Sequence, residues 1–407
     1  MPMQIDAKNS DSRAVAVPRF ALWQLGFRPF FLLASLWGVL SMGGWLALYS
    51  TANSAYWMQP YVSSSWWHAH GLVFGYAMAV ITGFLLTAVQ NWTELKTPTG
   101  VPLAGLACLW LGGRLLPLVP GLPFGFAVAS DLLFDAALVI VVSLPLVRTR
   151  QKTNLFTFSS KLTTLLIANA VFYLGALGYL DGGERAGVYL GTYLILAIVF
   201  TIGRRVFPMF IANAVGADQP LRNSRFLDLS SLSLFLIFTI VDVLWPVSTA
   251  AGALAALLFV IHLLRLKNWH HPGIWSRPLV WVLWLSYAWI TVGFLFAALS
   301  SVGLVSSSQA VHAFTLGGVG MVSIGMMARV TLGHTGRNVF QPPPSLWIIF
   351  GVILFAAVVR VLLPLAAPEM YVQCILISQV AWIMAFAGFI VLFGPMLVNS
   401  RMDGLPG

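Results

Sequence analysis

Seven histidines stand in the 407-residue chain, and four of them are placed where imidazole chemistry is useful. His68 and His70 sit together in Trp67-His68-Ala69-His70-Gly71. His312 and His334 bracket a run of small, soft and weakly polar residues that ends at Arg337. Neutral imidazole is a common ligand for iron and copper, so these four are the candidate metal ligands. The 22 residues from His312 to His334 span about 33 Å as a helix, close to the thickness of a bilayer core. At 100° per residue the two rings fall within roughly 40° of one face, with Thr315, Val319, Ser323, Met326 and Val330 between them. That stretch is expected to be the seam around which the other helices pack. His68 and His70 lie about 200° apart on a regular helix and cannot serve one partner together. His68 shares its face with Gly71, Gly75, Met78 and Thr82. His70 shares its face with Phe74, Ala77 and Ile81, an apolar wall suited to a porphyrin. A haem between His70 and His312 is the arrangement these faces favour; a structural role at the interface is the alternative for each ring.

The elements that must carry these residues are membrane helices. Hydrophobic residues make up 59% of the chain and charged residues 8%, far below the share of about 25% in soluble domains. Apolar windows of helical length recur near 29–51, 67–89, 101–119, 124–147, 161–181, 186–208, 228–245, 247–267, 278–300, 307–331, 345–366 and 370–398. The expected fold is all-α, a polytopic bundle of about twelve transmembrane helices. One domain covers 29–398, between a tail at 1–28 and a tail at 399–407. Alternate loops carry 19 of the 22 lysines and arginines, leaving Arg114, Arg185 and Arg360 opposite, so both termini are expected to be cytoplasmic. The formal charge of +10 follows from this bias and needs no acidic partner. Residues 1–27 lack the short apolar core of a cleavable signal, so the first span is expected to target the chain. Cys108 and Cys374 make neither a disulfide framework nor a metal motif. No phosphate loop, Ser-His-Asp set or nucleic-acid motif is present.

Other residues add candidates. At the cytoplasmic rim Arg28 leads into span one, Asn91 and Trp92 close span two, Arg204 and Arg205 close span six, and Arg329 and Arg337 close span ten, all in otherwise apolar sequence. A convergent set of that kind would bind haem propionates or anionic lipid head groups. Gly317, Gly318 and Gly320 permit close approach of a helix or a flat cofactor. Met321, Met326 and Met327 are core filler or soft ligands. Asp131 and Asp135 share one face of span four and either neutralise Arg114 or begin a polar path. His262 reads as a buried structural histidine.

The stretches GFRPFF, WHAHG, FLLTAVQNWT, GRRVFPMF and HAFTLGG…MMARVTLGHTGR, in this order from residue 26 to 337, resemble the signatures of the NnrS family. The resemblance implies a haem- and copper-containing protein of the bacterial inner membrane that responds to nitric oxide and nitrosative stress. It implies haem b and copper as cofactors, nitric oxide as small-molecule ligand and the lipid bilayer as surroundings. Two positions depart from the pattern: Gly71 follows WHAH where an acid is usual, and Gln90 stands where a proline precedes Asn-Trp. Subunit I of haem–copper oxidases is a weaker analogy, with histidines on spans two and ten, but spans six and seven here lack its further histidines. Two other readings stay open at this point. One is a transporter or metal exporter. The other is an oxidoreductase that turns over nitric oxide and needs a membrane electron donor.

Overall fold

A computed structural model describes residues 20–51, 62–216, 221 and 224–405. Lys8, Arg13, Arg19 and Arg222, which contribute to the charge bias, lie outside the described residues. Twelve helices are long and apolar enough to cross a membrane. They are α1 (Phe27–Ser50), α2 (Ser64–Thr93), α3 (Val101–Leu118), α4 (Gly125–Arg148), α5 (Lys152–Ala176) and α6 (Gly183–Val215), then α7 (Arg225–Leu244), α8 (Thr249–Asn268), α9 (Pro278–Ser300), α10 (Ser307–His334), α11 (Ser345–Ala366) and α12 (Pro368–Val398). No strand occurs among the described residues, beyond one bridge between Phe20 and Asn399. The chain is a multi-pass membrane protein of the all-α class. The largest difference from the hydropathy reading is α5, which starts at Lys152 rather than at 161; Lys161 lies inside it and folds its ammonium back onto the Thr157 carbonyl at 2.9 Å.

Neighbours in sequence pack as antiparallel pairs, α5 on α6 and α8 on α9, while α1 closes the bundle against α12. Two helices occupy the middle. In its most apolar stretch α2 is 83% buried and α10 72%, against 56% for the next most enclosed. The expected seam on α10 is therefore central, but α2 shares the position. The glycines of α10 serve this packing: a Cβ on Gly317 would meet the Trp289 ring at 2.6 Å, and one on Gly320 would meet Trp382 at 2.8 Å.

Serines set the helix starts. Ser248 caps α8, and Ser306 with Gln309 forms a reciprocal capping box at the head of α10. Both central helices then widen into π-helical turns, over Gly71–Ala77 immediately after His70 and over Ala313–Gly320 immediately after His312. Such turns shift the angular position of every residue beyond them, so a constant 100° step does not hold along either helix. In α2 buried donors meet the carbonyls of this stretch. Trp37 Nε1 donates to the Gly71 oxygen at 2.8 Å, Trp110 Nε1 to that of Gly75 at 3.1 Å, and Arg114 to that of Phe74.

The two described chain ends meet at the end of the bundle that carries His334. The Ala21 amide donates to the Val398 carbonyl at 2.7 Å. Arg28, fully buried, donates through Nη1 to the carbonyls of Met396, Leu397 and Asn399 at 3.2, 3.0 and 2.7 Å. A cation thus closes the C-terminus of α12, where the helix dipole and the unpaired carbonyls both favour positive charge. Replacing Arg28 with Met is expected to cost about 2 kcal/mol or more, with Lys a partial rescue, read as unfolding midpoints in detergent.

Candidate functional site

A cavity of about 450 Å³ lies between α1, α2, α6, α10, α11 and α12 at the end opposite His334. Its walls are largely apolar, and a few polar side chains converge on it: His68, His312, Ser308, Arg360, Tyr371 and Gln379. The His312 Nδ1 lies 2.7 Å from the Ser308 carbonyl oxygen. A carbonyl only accepts, so Nδ1 carries the proton and a neutral ring leaves the Nε2 lone pair for a ligand. This is the second partner that orients a metal-binding imidazole. The His68 ring stacks on Trp45 at 4.9 Å with 15° between planes.

Several buried polar atoms on these side chains have no partner: Nδ1 of His68, Nη1 of Arg360 and both amide atoms of Gln379. Arg360 is 7% exposed and Gln379 4%. Buried polar groups are almost always satisfied, so four orphan atoms on side chains that line one cavity mark it as the candidate site. The other end of the Arg360 guanidinium donates through Nη2 to Ser308 Oγ at 3.0 Å, and the cation packs over the Tyr371 ring. Arg360 thus lies on the residue that holds His312. The arrangement offers imidazole nitrogen for a metal and a cation with an amide for a carboxylate.

His70 lies elsewhere. It faces a separate cavity of about 40 Å³ with Arg114, Phe172 and Tyr173. Its Nε2 is 2.9 Å from Asn169 Oδ1 and 3.5 Å from Asp131 Oδ2, and its ring stacks on Phe172 at 4.3 Å. Asn169 in turn donates to Asp131 at 3.1 Å and Asp135 at 2.8 Å, Tyr173 donates to Asp131 at 2.9 Å, and Arg114 pairs with Asp131. The structure does not bring His70 and His312 to one cavity: the α2 ring that lines His312's cavity is His68. The two-residue offset that separates the α2 histidines is what sends them to different neighbours. Of the expected apolar wall, Phe74 packs on His70 at 5.1 Å and Ala77 lines the large cavity. Asp131 and Asp135 are engaged by Arg114 and Asn169.

The rim residues do not assemble into one site. Arg28 caps α12. Arg204 lies 3.7 Å from Asp228, Arg205 is exposed, and Arg329 packs 3.6 Å from the centre of the Phe210 ring. Asn91 is exposed, while Trp92 stacks on Phe158 at 5.0 Å. Arg337 donates to the Thr335 carbonyl at 3.3 Å. His334 packs against Phe27, and its carbonyl accepts from Arg401 at 3.1 Å. Beyond the membrane segment, hydrogen bonding to Arg401 holds the Asp403 carboxyl down to about 2. His262 is buried between Phe200 and Phe294, with Nδ1 2.6 Å from Tyr287 Oη. Met326 lines an apolar pocket and Met321 and Met327 are buried core. No group of three His, Cys, Asp or Glu able to hold a metal occurs among the described residues.

Sequence reasoning missed Arg360 and Gln379 as site residues, and Asn169 and Tyr173 as partners of His70. Arg360 carried a usable signal, a lone cation late in the very apolar span eleven. Gln379, an amide among ordinary helix residues, carried none.

Fold and site together define a multi-pass helical membrane protein with a largely apolar cavity onto which histidine, arginine and amide side chains converge. The family model for the NnrS protein matches residues 21–401, and the chain belongs to the NnrS family. It is accordingly a membrane protein of the nitric oxide response. A comparison with curated proteins returns no match.

The buried acids give a direct test of the packing around His70. Asp131→Ala leaves Arg114 without its counter-ion and is expected to cost about 3–5 kcal/mol. Asp135→Asn keeps an acceptor for Asn169 and is expected to cost under about 1.5 kcal/mol. Unfolding of the two purified variants in detergent measures the difference.

Proposed function

We propose that this protein binds haem b in the cavity bounded by His68 and His312 and through it takes up nitric oxide. The observation that carries the reading is the convergence on one cavity of two imidazoles, a guanidinium and an amide whose side chains carry unpaired buried atoms. Its volume falls in the range of about 300–1,000 Å³ usual for cofactor sites. Bound haem would supply an iron centre to which nitric oxide can coordinate. The chain's own contribution is binding and orientation. The Ser308 carbonyl keeps the His312 Nε2 lone pair available, and Trp45 holds the His68 ring by stacking. Arg360 and Gln379 offer a cation and an amide to propionate oxygens. Were both His68 and His312 to hold the haem, it would favour electron transfer; were one of them labile, nitric oxide could bind in its place.

The residues do not fit a separate three-ligand copper centre among the described residues, so no step is assigned to copper. The transporter reading loses its intramembrane acids, since Asp131 and Asp135 are tied to Arg114 and Asn169. The bias of basic residues toward the His334 end supports a cytoplasmic location for both termini and an inner-membrane protein of a bacterium. The cavity then lies toward the opposite face.

Haem content and optical spectra of the purified protein test the reading. His68→Ala and His312→Ala are each expected to lose most haem or change its axial ligation, and Arg360→Gln to weaken retention. His70→Ala is expected to keep the wild-type spectrum. Full haem content with an unaltered spectrum in both the His68 and the His312 variants would sink the assignment.

A further inference from the structure

A second cavity of about 80 Å³ continues from the first toward the His334 end, between α1, α2, α6 and α10. Every side chain lining it is apolar except Ser323, whose hydroxyl is spent on the Gly320 carbonyl at 2.9 Å and on Tyr76. Ala77, Ile195 and Val319 line both cavities, one residue from each of α2, α6 and α10. A single layer of three aliphatic side chains therefore separates the polar space from the apolar one.

The apolar space exists because the helices splay. α2 approaches α6 over residues 64–77, and α10 approaches α6 over 313–320, more closely than in their later halves. The wedge that opens beyond is lined by Phe84, Ile202 and Met326, which are only half-buried. These positions lie well inside membrane-spanning segments, so the surface the wedge reaches is lipid. The cavity lacks the two to four polar partners that hold a water molecule, and apolar cavities of this kind stay dry while accepting xenon or small apolar solutes. An ion would have to shed its hydration to enter.

We propose that this wedge is a binding site and entry path for a small uncharged diatomic gas. Nitric oxide dissolved in the bilayer enters between α2 and α6, rests against α10, and passes Ala77, Ile195 and Val319 to reach the histidine cavity. The division of labour follows from chemistry. Charged nitrogen oxides are excluded from the wedge, and the Arg360 side of the large cavity is where an anion would be held. The kinetic part of this inference rests on the haem reading; the gas site itself does not.

Two measurements test it. In haem-loaded protein, Val319→Phe fills the partition and is expected to slow association of carbon monoxide or nitric oxide with reduced haem several-fold. Ile195→Ala thins the partition and is expected to speed it; because both residues also line the histidine cavity, haem content and the equilibrium spectrum of each variant are measured beside the rates, which are compared per haem bound. Where Val319→Phe does not fold, the Ile195 variant and wild-type protein carry the test alone. Unchanged rates in a haem-loaded Ile195→Ala protein overturn the entry path. Xenon-pressurised crystals of the wild type read the site without reference to haem. Xenon between Phe84, Ile202 and Met326 supports the gas site, and its absence from that space overturns it. A protein that binds no haem yet takes up xenon there overturns the haem reading and leaves the gas site standing.

Discussion

A buried guanidinium holds the centre of this bundle in place. Arg114, on α3, pairs with Asp131 on α4 and donates to the Phe74 carbonyl inside the π-helical stretch of α2. Backbone carbonyls have no water to turn to in a membrane interior, so a widened turn persists only where side chains meet its freed groups. Trp37 and Trp110 supply two further donors to the same stretch. Asp131 also receives Asn169 and Tyr173 from α5, so the cation is tied into four helices and its charge is balanced. The angular position of α2 beyond His70, and with it the wall of the large cavity, depends on this set of contacts. The cost of burying the charges is offset by geometry that satisfies nearly every partner.

The twelve spans were legible because hydropathy and length decide them together, and the loops contribute little that competes. Span ten was also legible as a central helix from its small residues and its two histidines. What failed was the step from a helical wheel to a shared face. A wheel assumes a constant turn, and π-helical stretches begin immediately after both His70 and His312. Nothing in the composition of Gly71–Ala77 announces that turn; it follows from donors on α1 and α3 that only the fold brings near. The arginines of the rim failed for a different reason. Each was correctly seen as unusual, but Arg28 serves a helix end, Arg204 an aspartate and Arg329 an aromatic ring, and residue type alone does not choose among such partners.

The large cavity and the wedge below it sort molecules by solvation. One presents hydrogen-bond donors and imidazoles that reward charge and metal; the other rewards only size and the absence of charge. Placing them end to end across three aliphatic side chains gives a single enclosed site two different thresholds of admission. The splay of α6 away from α2 and α10 produces this without a polar channel through the bundle.

The contact between the first and last helices also sets an order of events during biosynthesis. Arg28 has its α12 carbonyl partners only when the final helix has been made and docked. The same helix brings Tyr371, Gln379 and Trp382 to the large cavity, and α11 brings Arg360. Both cavity histidines are therefore in the membrane while that side of the site is still open. Closure of that side of the site is thus coupled to the docking of α11 and α12.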